Sequence, residues 1–348
     1  MTQGSLIKAA LTAALLVIIG VISWETYLRS TGFELAYDDG GPLWAHQRSR
    51  IYQPIDEATV FIGSSRIKFD LDIPTWKKLT GEDAIQLSCV GSTPRPLLAD
   101  LAADPKFNGK VIIDVTEGLF FSMAPQNVFR PNEGIEYYKN ITPTQRAGFV
   151  LNKPLESAFV FLDKDHYSIN AMLEALEMPN RPGVRVGPIF PRDFEYTNLD
   201  RQTYMGKIFL ADTAQQNKQK SIWAFFGTIN RFPPISGHPL DSMIQVVKSD
   251  IDKIKARGGK VVFVRTPSSG QFLEKEKQGF PREKYWDRLL AETDCKGIHF
   301  QDFPQIDHYV CPENSHLSPE DAIDFTTHLV KILQDSTGWT FPKKTGEE

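Results

Sequence analysis

Short apolar runs closed by polar, glycine-containing turns recur along this chain, and only the first apolar stretch breaks that habit. Positions 6–24 are apolar apart from Lys8, Thr12, Gly20 and Ser23, just long enough to cross a bilayer as one helix. Lys8 and the amino terminus precede the run, while Glu25, Glu34, Asp38 and Asp39 dominate its downstream flank. The positive-inside rule then places the N-terminus in the cytoplasm and the rest of the chain outside it. Trp24 and Tyr27 suit the outer interface. A cleaved signal peptide is the competing reading, with Val21-Ile22-Ser23 as its cleavage site. No small-x-Ala site is present, so an uncleaved anchor over 1–30 is expected. The protein is thus expected to be single-pass in the cytoplasmic (inner) membrane, with its main domain extracytoplasmic, periplasmic where the envelope has two membranes.

After a polar connector over 31–54, with a short helix around Leu43-Trp44-Ala45, the pattern changes to strand, polar turn and helix at short spacing. Thr59-Val60-Phe61-Ile62 reads as a buried parallel strand, broken at Gly63 and followed at once by Ser64, Ser65 and Arg66. Further strands are predicted at 84–89, 110–115, 260–264 and 298–302. Asp72 with Pro74 opens a short helix that stops near Gly81. Other helices are predicted at 96–104, at 240–257 with Gly258-Gly259 as its cap, at 282–293 and at 319–333. This alternation is that of an α/β fold with a parallel sheet. From 120 to 239 it stops: paired aromatics, many prolines and helices over 142–151 and 165–176 predict a mostly helical insertion lying over the sheet.

The balance of 39 basic against 43 acidic residues, a net charge of −4, comes without any basic run. That excludes a nucleic-acid partner, because phosphate binding needs clustered Lys and Arg. Three cysteines, Cys89, Cys295 and Cys311, are too few for a disulfide scaffold but allow one bridge in an oxidising compartment.

In an open α/β sheet, ligands bind in the crevice beyond the carboxyl ends of the strands. Ser65 falls at such a place. Nucleophilic serine chemistry needs a base and an acid that orients it, and the late loop Cys311-Pro312-Glu313-Asn314-Ser315-His316-Leu317-Ser318 holds both. Glu313 and His316 lie three apart, just before a helix with Ser318 as N-cap. An early strand ending in Gly-x-Ser, later strands ending in Gly91 and in a polar turn, and a final acid-x-x-His resemble an SGNH (GDSL-type) hydrolase over roughly 55–335, interrupted by 120–239. With the N-terminal anchor and Gly-Ser-Ser in place of Gly-Asp-Ser, the chain is similar to two sets within that superfamily. They are the teichoic-acid D-alanyl transfer protein and the alginate-type O-acetyltransferase accessory proteins that partner membrane-bound O-acyltransferases.

The resemblance implies a three-layer α/β/α sandwich with a five-stranded, flavodoxin-like parallel sheet, and a tail over 336–348. It implies Ser65 as nucleophile, His316 as base and Glu313 as the orienting acid, with Asp307 as substitute. Backbone N–H groups of Ser65 or Arg66 and of Gly91 would form the oxyanion hole, with Thr116 as a further donor. At the third block, where the family carries an asparagine, this chain reads Asp114-Val115-Thr116-Glu117. The implied activity is that of a serine esterase or O-acyltransferase on an envelope glycan or related acyl acceptor, needing no cofactor and no metal. An integral-membrane O-acyltransferase is the implied protein partner. The alternative is an inactive scaffold or carbohydrate-binding partner of such an enzyme.

Each residue also has a plainer reading. Ser65 could be a turn serine and Glu313 a solvated loop carboxylate. Arg66 could donate to carbonyls rather than meet an anionic substrate, and Gly91 could serve only a tight turn. Thr93, Arg95 and Arg265 border the expected cleft as candidate substrate contacts. Trp286 reads as a core or lid aromatic, and Cys89 as a small core residue. Cys295, His299, His308, Cys311 and His316 are crowded enough to suggest zinc, but their spacing fits no finger pattern. A Cys295–Cys311 disulfide pinning the His316 loop is preferred.

Overall fold

The computed structural model of the protein describes residues 3–174, 176, 183, 187–229 and 232–342. The last six residues of the expected tail, and Ala175 of the helix expected over 165–176, lie outside these. Five parallel strands form the central sheet: β1 (Ala58–Ile62), β2 (Asp83–Gln86), β3 (Lys110–Asp114), β4 (Lys260–Arg265) and β5 (Lys296–His299). Their order is β2-β1-β3-β4-β5, so the chain leaves β1 in one direction and returns to its other side. The carboxyl ends of β1 and β3 therefore flank the switch point, where an α/β sheet leaves a crevice.

Period-two alternation sends successive strand residues to opposite faces, and both faces are covered. Val60, Ile62, Val111, Ile113 and Phe263 join one core with Leu98, Ile244 and Leu289, which come from helices Arg95–Ala103, His238–Ala256 and Trp286–Thr293. Phe61, Ile112, Val262 and Val264 join the other with Ile67, Trp76 and Phe325, from helices Ser65–Asp70, Ile73–Thr80 and Pro319–Ile332. The expected caps form: Asp72 Oδ1 accepts the Thr75 N–H at 2.8 Å, and Ser318 Oγ accepts that of Asp321 at 3.1 Å.

The expected disulfide is not formed, and the two cores give the reason. Cys295 belongs to the first and Cys311 to the second; the sheet lies between them, and all three cysteines are free thiols. Bridging requires Cα atoms within about 7 Å.

Among the described residues between β3 and β4, no strand joins the main sheet; a two-strand ribbon, Tyr196–Thr197 with Thr203–Tyr204, stands apart from it. The insertion carries helices Phe129–Asn140, Pro143–Glu156 and Thr213–Ile229. Helix Gln3–Ser30 is long and apolar enough to cross a membrane. Its far end is tied to the insertion: Glu25 accepts the backbone N–H groups of Val160 and Phe161 at 3.0 and 3.3 Å, and Arg29 donates to the Ala158 carbonyl at 2.9 Å.

Candidate active site

The turn after β1 is built by close approach. A Cβ at Gly63 would stand 2.5 Å from Asp114 Cβ and 2.7 Å from Ile67 Cγ2, so only glycine lets β1 run this near the end of β3. Asp114 then supports the turn from beneath. Its Oδ2 accepts the Ser64 N–H at 3.2 Å, the Ser64 hydroxyl at 3.0 Å and the Thr116 hydroxyl at 3.1 Å. Burial raises the Asp114 carboxyl above its ordinary range, against the pull of Arg66 and the Ser64 bonds. Ser64 is buried and caps the helix Ser65–Asp70. Ser65, the next residue, is half-exposed among buried neighbours.

Its partner arrives from 251 residues away: His316 Nε2 lies 2.9 Å from Ser65 Oγ. The turn before His316 is held by Asn314 in the left-handed region, at φ 77°, which asparagine tolerates. That places Glu313 behind the imidazole, with Oε1 2.9 Å from Nδ1 and accepting the His316 backbone N–H at 2.6 Å. Trp223 Nε1 donates to Oε2. Burial opposes ionisation of Glu313, yet His316, Trp223 and the backbone bonds outweigh it and hold the carboxyl below its usual range. An ionised carboxylate only accepts, so it fixes the proton on Nδ1 and leaves Nε2 free to accept from the Ser65 hydroxyl. Phe69 stacks on the imidazole at 4.3 Å between centroids, so rotation of the ring is blocked.

Gly91 sits at the same sheet edge, at φ 62°, two residues beyond the bond from the Cys89 N–H to the Gly63 carbonyl. Among the described residues, no acceptor is bonded to the backbone N–H of Ser65 or Gly91. The Arg66 N–H is turned to Ser64 Oγ, at 3.3 Å.

Several expected site residues are elsewhere or otherwise engaged. Asp307 is exposed and makes no bond to His316; Glu313 occupies that place. The Thr116 hydroxyl is committed to Asp114 and to Ser64 Oγ, 2.6 Å away, so it is not an oxyanion donor. Arg66 and Arg265 are buried rather than facing a substrate. Both pair with Glu276, Arg265 also with Glu117 at 3.0 Å, and Phe272 covers the Arg66 guanidinium. Glu276 and Phe272 belong to helix Gly270–Gly279, which the apolar pattern does not announce. Thr93 is buried, its N–H donating to the Asn127 carbonyl and its hydroxyl accepting from Arg95.

Two contributors carry no local signal. Trp223 reaches Glu313 from the insertion, 90 residues before it. Asp70 lies buried at the end of the helix that starts at Ser65, and its Oδ1 accepts the Leu317 N–H at 2.9 Å. Burial pushes its carboxyl up to about 7, against the attraction of His316. Beyond the site, a cleft of about 1250 Å³ is lined by the connector (Ala36 to Gly41), by Val90 and by insertion residues including Phe190 and Phe194. Ser65 and His316 are not in its lining, while Phe194, which is, has its ring centroid 6.1 Å from that of His316. No protein-family model matches the chain, and no curated protein matches it.

Proposed function

We propose that this is a membrane-anchored, extracytoplasmic serine esterase or O-acyltransferase that acts on an acylated envelope glycan or a related acyl acceptor. The observation that carries the proposal is the continuous line from Ser65 Oγ through His316 to Glu313, with 2.9 Å at each step. It has the geometry that proton removal from a serine requires. A turn serine has no need of an oriented, buried imidazole backed by a buried carboxylate.

In this reading Ser65 Oγ attacks the acyl carbonyl while His316 Nε2 takes its proton, and the imidazolium that forms is stabilised by Glu313. The N–H groups of Ser65 and Gly91 receive the oxyanion. His316 then returns the proton to the departing alkoxide, which leaves an acyl group on Ser65. Water or a sugar hydroxyl, deprotonated by His316, removes that group and regenerates the serine. The chemistry uses no metal or cofactor. The strand order 2-1-3-4-5 and the late acid-x-x-His support the SGNH resemblance. The span over 3–30, with Lys8 on one side and an acidic flank on the other, supports an anchor that leaves the domain outside the cytoplasm. An integral-membrane O-acyltransferase as acyl supplier is the partner this placement suits.

The test is direct. The protein should be labelled at Ser65 by an activated phosphonate and should release p-nitrophenol from its acetate ester. A chain that neither labels nor turns over, with Ser65→Ala retaining function in cells at normal protein level, would leave only the scaffold reading.

A further inference from the structure

We infer that helix Pro143–Glu156 is a second membrane contact, lying with its apolar stripe in the lipid interface beside the end of the N-terminal span. The inference rests on that span remaining in the bilayer. Ala147, Val150, Leu151, Pro154 and Leu155 recur at the i, i+3, i+4, i+7, i+8 spacing of one helical face. None of the helix's residues is buried, and Val150 and Leu151 are 67% and 69% exposed. Phe149, on the opposite side, packs its ring on His46 of helix Gly41–Ser49 at 5.0 Å. The stripe therefore points away from the body of the protein, and nothing among the described residues covers it.

Its position identifies what does. Trp24 and Tyr27 stack at 5.6 Å on the outer surface of the span, where amphipathic aromatics mark the membrane–water boundary. At that level Glu25 and Arg29 bind the backbone of Val160, Phe161 and Ala158, and Tyr37, just past the span, bonds Ser157. Helix Pro143–Glu156 ends immediately before these residues, so its C-terminal turn is held at the boundary plane. Arg146 is exposed along one edge of the stripe and suits anionic headgroups. A protein partner would meet the same apolar residues but would not require them to sit level with the span's aromatic belt.

The full-length protein carrying Leu151→Cys or Asn152→Cys, labelled with an environment-sensitive fluorophore, is reconstituted in phosphatidylcholine–phosphatidylglycerol vesicles with brominated acyl chains. The native cysteines are buried and spare the labelling. The probe at 151 should shift to the blue and be quenched about twofold or more, while that at 152 stays as in water. Adding Val150→Glu to the 151 probe should weaken the quenching while the chain still floats with the vesicles. A chain that floats but shows equal, unquenched probes overturns the inference and leaves the anchor intact, as does cross-linking of residue 151 to a second polypeptide without quenching. A chain that fails to float removes the anchor and this contact together.

Discussion

Two buried polar networks meet at the turn after β1, one residue apart, and they are finished differently. Arg66, Arg265, Glu276 and Glu117 form a set closed to solvent: charge faces charge, the guanidinium of Arg66 lies over Phe272 and that of Arg265 over Phe300, and all four side chains are buried, with Arg66 Nη1 and Glu117 Oε2 left without a hydrogen-bond partner among the described residues. The other set, Glu313, His316 and Ser65, is equally buried at its carboxylate end but stops at a half-exposed hydroxyl. Closed networks lock geometry, since removing one member strands a charge in a low dielectric. An open-ended one keeps a group whose proton has somewhere to go and whose oxygen has something to meet. That contrast, rather than residue type, separates Arg66 from its neighbour Ser65.

The sharpest break is on the open set. Ser65→Ala removes one oxygen from a half-exposed turn, so on the proposed reading esterase turnover should fall roughly 10⁴-fold or more while the melting temperature stays within about 1 °C of wild type. His316→Ala should cost activity to the same degree, and the double variant should be hardly worse, as expected of groups acting as one unit. A Ser65→Ala protein that keeps its turnover would end the comparison.

On the closed set the loss should be of stability instead. Glu276→Ala strands Arg66 and leaves Arg265 with Glu117 as its remaining carboxylate, which should lower the unfolding free energy by about 3–5 kcal/mol in a denaturant titration. The protein that remains folded should still be labelled at Ser65. If labelling disappears from fully folded Glu276→Ala, the two networks are one.

The acid gives a smaller effect that distinguishes two carboxylates. Glu313→Gln leaves a partner for Nδ1 but removes the charge that stabilises the imidazolium, so kcat should fall roughly 10²–10⁴-fold. Asp307→Ala, at an exposed position, should match wild type. The reverse ranking would show that the loop rearranges when substrate binds.

Asp70 gives the smallest and most specific effect. Its folded carboxyl is raised to about 7, so the native state holds the proton more tightly than the unfolded chain does. The stabilisation this brings is complete below the unfolded pKa of about 4 and is lost as pH rises through about 7. Asp70→Asn keeps an oxygen for the Leu317 N–H and cannot ionise. It should therefore be more stable than wild type at pH 8 and differ little from it at pH 4. An equal difference at both pH values would remove ionisation as the cause.

The elements that were legible in the sequence are those encoded by near neighbours. The five strands, the Asp72 and Ser318 caps, the helix stop at Gly81 and the long apolar N-terminal helix all depend on contacts within a few residues, and each forms within a few positions of where the pattern puts it. Glu313 and His316 were also locally paired, because three residues on one turn face one side. Tertiary structure alone decided which chemistry the remaining side chains have left. Arg66 and Arg265 read as cleft cations until helix Gly270–Gly279, with no strong apolar period to reveal it, brings Glu276 between them. Thr116 reads as a donor until the turn after β1 brings Ser64 Oγ against its hydroxyl. Cys295 and Cys311 are near in sequence yet fall in cores on opposite faces of one sheet. Trp223 meets Glu313 only because the insertion folds back over the strand ends. Local patterns place backbone, which has few states per residue. The partner of a buried charge or hydroxyl is set by which strands and helices the whole chain stacks beside it, and no window of sequence contains that.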